Sequence, residues 1–192
     1  SSFPENSIFW KQTSGSTGEP FRFPSTNLGL LLSDERYLLF RLYRCLFWEG
    51  KTGAYIKDGL KVARITDTYE GTFTITKREI VEDPSGSLKR LKRFNPDVLE
   101  GRPSVLFELG RSAAALISSE HPHIPYIITY GEVLTHPIRA LLKEVFASNV
   151  YSRYGLEETG TVGVECRLHD GFHLCEESCL VEILDENNRE LE

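Results

Sequence analysis

The six residues of "TSGSTG", at positions 13–18, have the chemistry of an anion-binding loop. Glycines allow several backbone N–H groups to point at one anion, and the hydroxyl groups add neutral donors to phosphate oxygens. The run lacks the Lys that the P-loop pattern requires. It does not open onto a long helix, so a helix dipole would add little. Two interpretations remain for this segment, a phosphate-binding loop and a flexible surface loop.

A second group of reactive side chains lies in "ECRLHDGFHLCEE", where the Asp-Gly pair at 170–171 is typical of a two-residue turn. A hairpin closed there would pair Cys166 with Cys175 and put both thiols and His173 on one face. Two thiols and an imidazole can bind zinc, with a fourth ligand from His169, a Glu or water. The pattern is also compatible with buried structural cysteines and with a disulfide.

Alternating strands and helices must position these residues. Leucines at spacings of three and four predict a long helix over 26–48. Asp-Gly at 58–59 predicts a hairpin, and "GTFTITKREIV" predicts a further strand. Three more helices are predicted in "PSGSLKRLKRF", "RPSVLFELGRSAAALISS" and "THPIRALLKEVFA", the last with Thr135 as its N-cap. More strands are predicted in "LKVARIT", "IPYIITY", "NVYSRY" and the stretch from "TVGVEC" onward. The alternation indicates an α/β fold, a layered mixed β-sheet flanked by helices.

Composition excludes several classes of function. The formal net charge of -6 argues against a nucleic-acid binder, which usually has a basic surface. The most apolar window, residues 28–48, is interrupted by five charged residues, so we expect no membrane-spanning segment. Four cysteines in 192 residues do not form a disulfide framework, so we expect a cytoplasmic location. The composition is compatible with a homodimer as well as with a monomer.

Four motifs in order resemble those of one enzyme superfamily. "TSGSTGEP" is similar to the phosphate-binding signature of adenylate-forming enzymes, the superfamily of the acyl-CoA synthetases, and "YSRYGLEETG" is similar to its second signature. "RFNPDVLEGRPSVLFELG" and "GVECRLHDGFHLCEESCLVEIL" resemble segments of its phenylacetate–CoA ligase-like branch, which includes CapK-type proteins and coenzyme F390 synthetases. The resemblance extends over most of residues 10–184.

The resemblance implies ATP-dependent activation of a small-molecule carboxylate as an acyl-adenylate, with Mg²⁺ as cofactor and coenzyme A as acceptor. Gly131 and Glu132 would line the adenine pocket, and Tyr154 and Gly155 would border adenine and the acyl group. Glu158 matches the glutamate that engages Mg²⁺ and is the predicted catalytic residue. The ATP phosphates would be held by Thr13, Ser14, Gly15, Ser16, Thr17 and Gly18.

Two departures leave other functions open. Glu157 stands where the superfamily commonly has Thr or Ser, and it adds a negative charge beside a polyphosphate site. We also expect residues 1–192 to be one nucleotide-binding core region of a larger enzyme, without the C-terminal lid domain that contributes the catalytic Lys. The alternatives are therefore an adenylyltransferase of the CapK or F390-synthetase kind, and an inactive fragment that acts as a binding module.

Overall fold

The computed structural model describes residues 8–12, 22–26, 61–66, 73–117, 121–176 and 179–191. Two strands near the start, β1 (Ile8–Gln12) and β2 (Arg22–Thr26), pair antiparallel, with Gln12 opposite Arg22. The long helix was predicted over 26–48: Thr26 is the last residue of β2, and the rest of that range lies outside the described residues, as does the predicted Asp-Gly hairpin at 58–59.

A seven-stranded mixed sheet is the centre of the described chain, in the order β4–β3–β5–β6–β7–β8–β9. These strands are β3 (Val62–Thr66), β4 (Phe73–Thr76), β5 (Val98–Gly101), β6 (Tyr126–Tyr130), β7 (Asn149–Leu156), β8 (Gly160–Val164) and β9 (His173–Leu174). The strands from β4 to β7 in that order are parallel, whereas β8 and β9 are antiparallel to their neighbours. The central strands β5 and β6 are buried almost throughout, as expected for parallel strands covered on both faces.

Helices connect the parallel strands. They are α1 (Lys77–Glu82), α2 (Pro84–Phe94), α3 (Pro103–Ala114) and α4 (His136–Phe146). Each of α2, α3 and α4 has a proline in its first turn, where the missing N–H group has no intrahelical partner to lose. Thr135 is the N-cap of α4 as predicted, but its side chain makes no capping hydrogen bond. Within the described residues, none of the helices has the length and apolarity needed to cross a membrane.

The main core lies between one face of the sheet and these helices. Its largest fully buried members include Ile75, Leu91, Leu99, Leu106, Leu109, Ile127, Leu142 and Phe146. Alternate residues of the same strands point to the opposite face and form a second buried cluster, Val98, Tyr126, Ile128 and Tyr151. The α/β prediction, a layered mixed sheet flanked by helices, is confirmed.

One predicted strand was wrong over its second half. The alternating run "GTFTITKREIV" forms strand only as far as Thr76 and then continues as helix α1. The reason is a capping box: the Glu79 backbone N–H donates to Thr76 Oγ1 at 3.2 Å, and the Thr76 backbone N–H donates to Glu79 Oε2 at 2.7 Å. This reciprocal pair satisfies two N–H groups at the helix start and makes the helix the better conformation for the residues that follow.

Candidate functional site

The predicted phosphate-binding loop occupies the connection between β1 and β2. The loop residues themselves, at 13–18, lie outside the described part of the chain. The antiparallel pairing of Gln12 with Arg22 nevertheless brings the two ends of the connection together. The segment that contains the loop therefore joins two antiparallel strands, and the residue after this segment, Arg22, begins strand β2.

Two predicted nucleotide-binding segments, Gly131–Glu132 and Tyr154–Gly155, lie at the carboxyl ends of β6 and β7. These parallel strands are in register, with Tyr130 opposite Arg153, so Gly131 and Tyr154 follow at the same edge of the sheet. The Arg153 guanidinium lies 4.8 Å from the centre of the Tyr130 ring and links the two strand ends through a cation–π contact. Ligands of open α/β sheets bind outside this edge of the strands.

Gly131 and Glu132 form the turn that leaves β6. Gly131 has φ +74°, a conformation that favours glycine, and a Cβ there would lie 3.9 Å from the Arg102 side chain. Glu132 points back to the start of α3, where its carboxylate accepts hydrogen bonds from the Ser104 backbone N–H and hydroxyl. The Glu132 side chain thus fixes the turn after β6 to the first turn of α3. Gly131 has no side chain, so its backbone is left accessible.

Tyr154 and Gly155 lie where β7 becomes irregular. The pairing with β8 shifts between these two residues, and a Cβ on Gly155 would lie only 2.4 Å from the carbonyl oxygen of Gly160. Only glycine permits this approach of two backbones. The Tyr154 ring is 52% exposed and lies 6.1 Å, between ring centres, from Phe172.

Glu157 and Glu158 lie in the turn between β7 and β8, and both are exposed. In the described part of the chain, three or more His, Cys, Asp or Glu side chains do not come together as a metal cluster. A nucleotide-bound Mg²⁺ needs fewer protein ligands, since phosphates and waters complete its coordination shell. An exposed carboxylate in the turn beyond Tyr154 fits that requirement.

The predicted hairpin at Asp-Gly 170–171 has a different register in the structure. Strand β9 pairs Gly163 with Leu174 and Val164 with His173, so the connection runs from Glu165 to Phe172 and the proposed pairing of Cys166 with Cys175 was wrong. His173 is exposed, Cys175 is buried, and the three described cysteines, Cys166, Cys175 and Cys179, form no disulfide. The zinc hypothesis for Cys166, His173 and Cys175 has no support from this geometry.

Sequence reasoning missed a buried polar cluster beside the middle of β7, where it contacts Val150, Tyr151 and Ser152. Glu165 directly follows β8, and its carboxylate is held by Arg139 of α4. His169, which the sequence suggested only as a fourth zinc ligand, contacts Arg139 through Nδ1. The one sequence signal was an acidic residue at the end of the buried run "TVGVE"; its partner on α4 depends on tertiary packing.

No protein-family model and no curated protein matches this sequence. Solved structures do match: 2-hydroxyisobutyryl-CoA ligase in complex with 2-HIB-AMP and CoA has a TM-score of 0.67 and 17% identity, over 97% of this chain and 45% of that one. VinN has a TM-score of 0.65 and 15% identity, over 95% and 46% of the two chains.

A third structure is O-succinylbenzoate coenzyme A synthetase (MenE) from Bacillus subtilis, in complex with ATP and magnesium ion. Its TM-score is 0.57 at 15% identity, over 95% of this chain and 38% of that one. The chain spans less than half the length of these structures. At such identities the likeness shows the fold, and the seven-stranded sheet with its flanking helices is that of the N-terminal domain of adenylate-forming enzymes.

Proposed function

We propose that this chain is the ATP-binding core of an enzyme that activates a carboxylate as an acyl-adenylate and transfers the acyl group to coenzyme A, in the phenylacetate–CoA ligase-like branch. The observation that supports it best is the meeting of Gly131 and Tyr154 at the carboxyl edge of β6 and β7, with Glu158 in the turn beyond. The resemblance assigns these residues to nucleotide binding, and their sheet edge is where α/β folds bind nucleotides.

The candidate residues contact different parts of ATP. The half-exposed Tyr154 ring offers a flat face to adenine, and the uncovered Gly131 backbone allows the base to approach closely. Residues 13–18 donate hydrogen bonds to the phosphates. Glu158 would bind Mg²⁺, which supplies positive charge at the phosphate oxygens when it is present.

The reaction needs little covalent chemistry from the protein. A carboxylate oxygen of the substrate attacks the α-phosphorus of ATP. The bond between the α-phosphorus and the oxygen that bridges it to the β-phosphate breaks, and pyrophosphate leaves. The thiol of coenzyme A then displaces AMP from the acyl carbon. The protein holds the reactants in line and stabilises the charge that develops on phosphate oxygens.

Calorimetric titration with ATP, with and without Mg²⁺, tests the nucleotide site. Wild-type protein is expected to bind ATP more tightly when Mg²⁺ is present. Glu158→Gln should lose that Mg²⁺ dependence, whereas the neighbouring and equally exposed Glu157→Gln should keep it or bind more tightly, because a negative charge near the phosphates is removed. Equal effects of the two substitutions, or no ATP binding by the wild type, would overturn the proposal.

The acceptor is tested separately by product analysis. In a full-length enzyme that joins this chain to the lid domain, pyrophosphate release that depends on one of a panel of carboxylates, phenylacetate included, with formation of the coenzyme A thioester, is the expected result. Transfer of AMP to a substrate without a thioester would support the adenylyltransferase alternative. Binding of ATP without any turnover would support the binding module.

A further inference from the structure

Glu165 and Arg139 form a closely packed ion pair beside the proposed nucleotide site. Arg139 Nη2 lies 2.8 Å from Glu165 Oε1 and 2.9 Å from Oε2, and the two side chains are only 14% and 9% exposed. A guanidinium that donates to both oxygens of a carboxylate fixes orientation as well as distance. The pair therefore fixes α4 relative to the end of β8.

The same two side chains also hold the middle of β7. The Ser152 backbone N–H donates to Glu165 Oε2 at 2.7 Å, and the Glu165 N–H donates to the Ser152 carbonyl at 3.0 Å. Arg139 Nη1 donates to the Val150 carbonyl at 2.6 Å. These contacts are two to four residues before Tyr154 on the same strand. They therefore fix the position from which the Tyr154 ring projects.

His169 extends the network into the connection that precedes β9. Arg139 Nη1 lies 2.8 Å from His169 Nδ1, and Glu165 Oε2 lies 3.4 Å from the same ring nitrogen. The connection then returns Phe172 toward Tyr154, directly over Gly163, where a Cβ would lie 2.9 Å from Phe172 Cβ. Glycine at 163 gives Phe172 the room to approach.

We infer that Arg139 and Glu165 are positioning residues that hold Tyr154 and Phe172 as an aromatic pair, against which the planar ring of the ligand packs. The two rings are 52% and 43% exposed, which leaves area for a third ring. Under the proposed function, on which this inference rests, that ring is the adenine of ATP. Phe172 is then a second contact for the base, and Arg139 and Glu165 act on it through β7 and the 165–172 connection.

The first experiment compares ATP with inorganic tripolyphosphate, which lacks the base, as ligands in the presence of Mg²⁺. Phe172→Ala should weaken ATP binding about tenfold, the usual effect of one base–aromatic stack, and leave tripolyphosphate binding unchanged. Arg139→Lys should also weaken ATP selectively, because one ammonium cannot donate to Glu165 and to the Val150 carbonyl from two separate nitrogens. Equal losses for both ligands, or no loss, would overturn the inference.

Arg90→Lys is a matched control. Arg90 also pairs with a glutamate, Glu79, and donates to a strand carbonyl, that of Thr74, but it is on α2 next to β4. Hydrogen–deuterium exchange should therefore rise in residues 149–172 for Arg139→Lys, and in residues 74–94 for Arg90→Lys. This readout needs no ligand: a wild type that fails to bind ATP contradicts the proposed function, whereas exchange that rises uniformly in Arg139→Lys contradicts the positioning role.

Discussion

The Glu132 carboxylate accepts two hydrogen bonds from Ser104, one from its backbone N–H at 2.9 Å and one from its hydroxyl at 3.0 Å. The Arg102 N-cap of α3 makes no side-chain capping bond, so Glu132, from a different loop, caps this helix. A residue that the resemblance assigns to the adenine pocket thus has a structural task of its own: it fixes the position of the Gly131 turn.

We expect Glu132→Ala to lower the free energy of unfolding by about 1 kcal/mol, the usual value of a lost N-terminal cap and a favourable charge at the helix start. Urea denaturation followed by circular dichroism measures this. Glu108→Ala, an exposed position on the same helix, should cost clearly less. Equal costs for the two variants would mean that the Ser104 contact contributes nothing to stability.

Glu79→Gln should make stability less dependent on pH. Hydrogen bonding from the Thr76 backbone is the main cause that lowers the pKa of Glu79, with the Thr76 hydroxyl and Arg90 contributing and partial burial opposing. A lowered folded-state pKa stabilises the protein above the unfolded-state value, near pH 4, and this contribution is lost as the pH falls through the folded-state pKa. The side chain is partly exposed, so we expect about 0.5–1 kcal/mol at pH 7.

Unfolding measured at several pH values tests this assignment. The difference between wild type and Glu79→Gln should be constant from pH 7 to pH 5 and shrink below about pH 4. A difference that is unchanged at pH 3 would contradict the assignment of the stabilisation to the ionised carboxylate.

Gly155→Ala should destabilise the β7–β8 pair through a steric conflict. The added methyl group would meet the Gly160 carbonyl oxygen at 2.4 Å, and that oxygen belongs to backbone, which cannot move aside cheaply. We expect a loss of about 1–3 kcal/mol, as for an overpacked site. Gly171→Ala is the comparison, since it has no atom within 4 Å and only the conformational cost of φ +93°. Thermal unfolding that shows the larger loss for Gly171→Ala would refute the steric explanation.

Arg64 and Glu100 form a buried ion pair between β3 and β5, with Nε 3.0 Å from Oε2. Glu100 is 2% exposed, and among the described residues its Oε1 accepts no hydrogen bond. Removal of one partner leaves a buried charge, so Arg64→Met should cost about 3–5 kcal/mol. The double variant Arg64→Met, Glu100→Met should be more stable than the single one. A double variant that is less stable would show that the Glu100 carboxylate is satisfied without Arg64.

Much of the fold could be predicted because local signals agreed with the final structure. The segments predicted as helices contain α2, α3 and α4, and the runs predicted as strands contain β6 and most of β7. The hairpin near β9 could not be predicted in this way. Asp-Gly is a strong turn signal, but Glu165 is held by Arg139 and His169 adopts φ +55°, so the chain leaves the strand earlier. The contact between Glu165 and Arg139 joins residues 26 apart in the sequence, which a local pattern does not reveal.

The candidate site also contains residues that the sequence predicted and residues that only the structure reveals. The strand order brings Gly131 next to Tyr154, and the motifs had marked both residues. Phe172 lies within one of the motifs but had no assigned role, and its place beside Tyr154 follows from the register of β8 and β9. Arg139 lies outside the motifs, and its link to β7 follows from its contacts with Glu165 and the Val150 carbonyl. A local pattern can indicate which residues face a ligand, but it cannot indicate which distant side chains hold them there.

The close contact between Gly155 and Gly160 also affects how this chain can be compared with distant relatives. Solved structures share its fold at 15–17% identity, a level at which residue-by-residue alignment of sequences becomes ambiguous. A methyl group added at Gly155 would collide with backbone, so this arrangement of β7 and β8 requires glycine at that position. Gly155 is therefore a fixed point from which a structure-based alignment of the β7–β8 segment can be started.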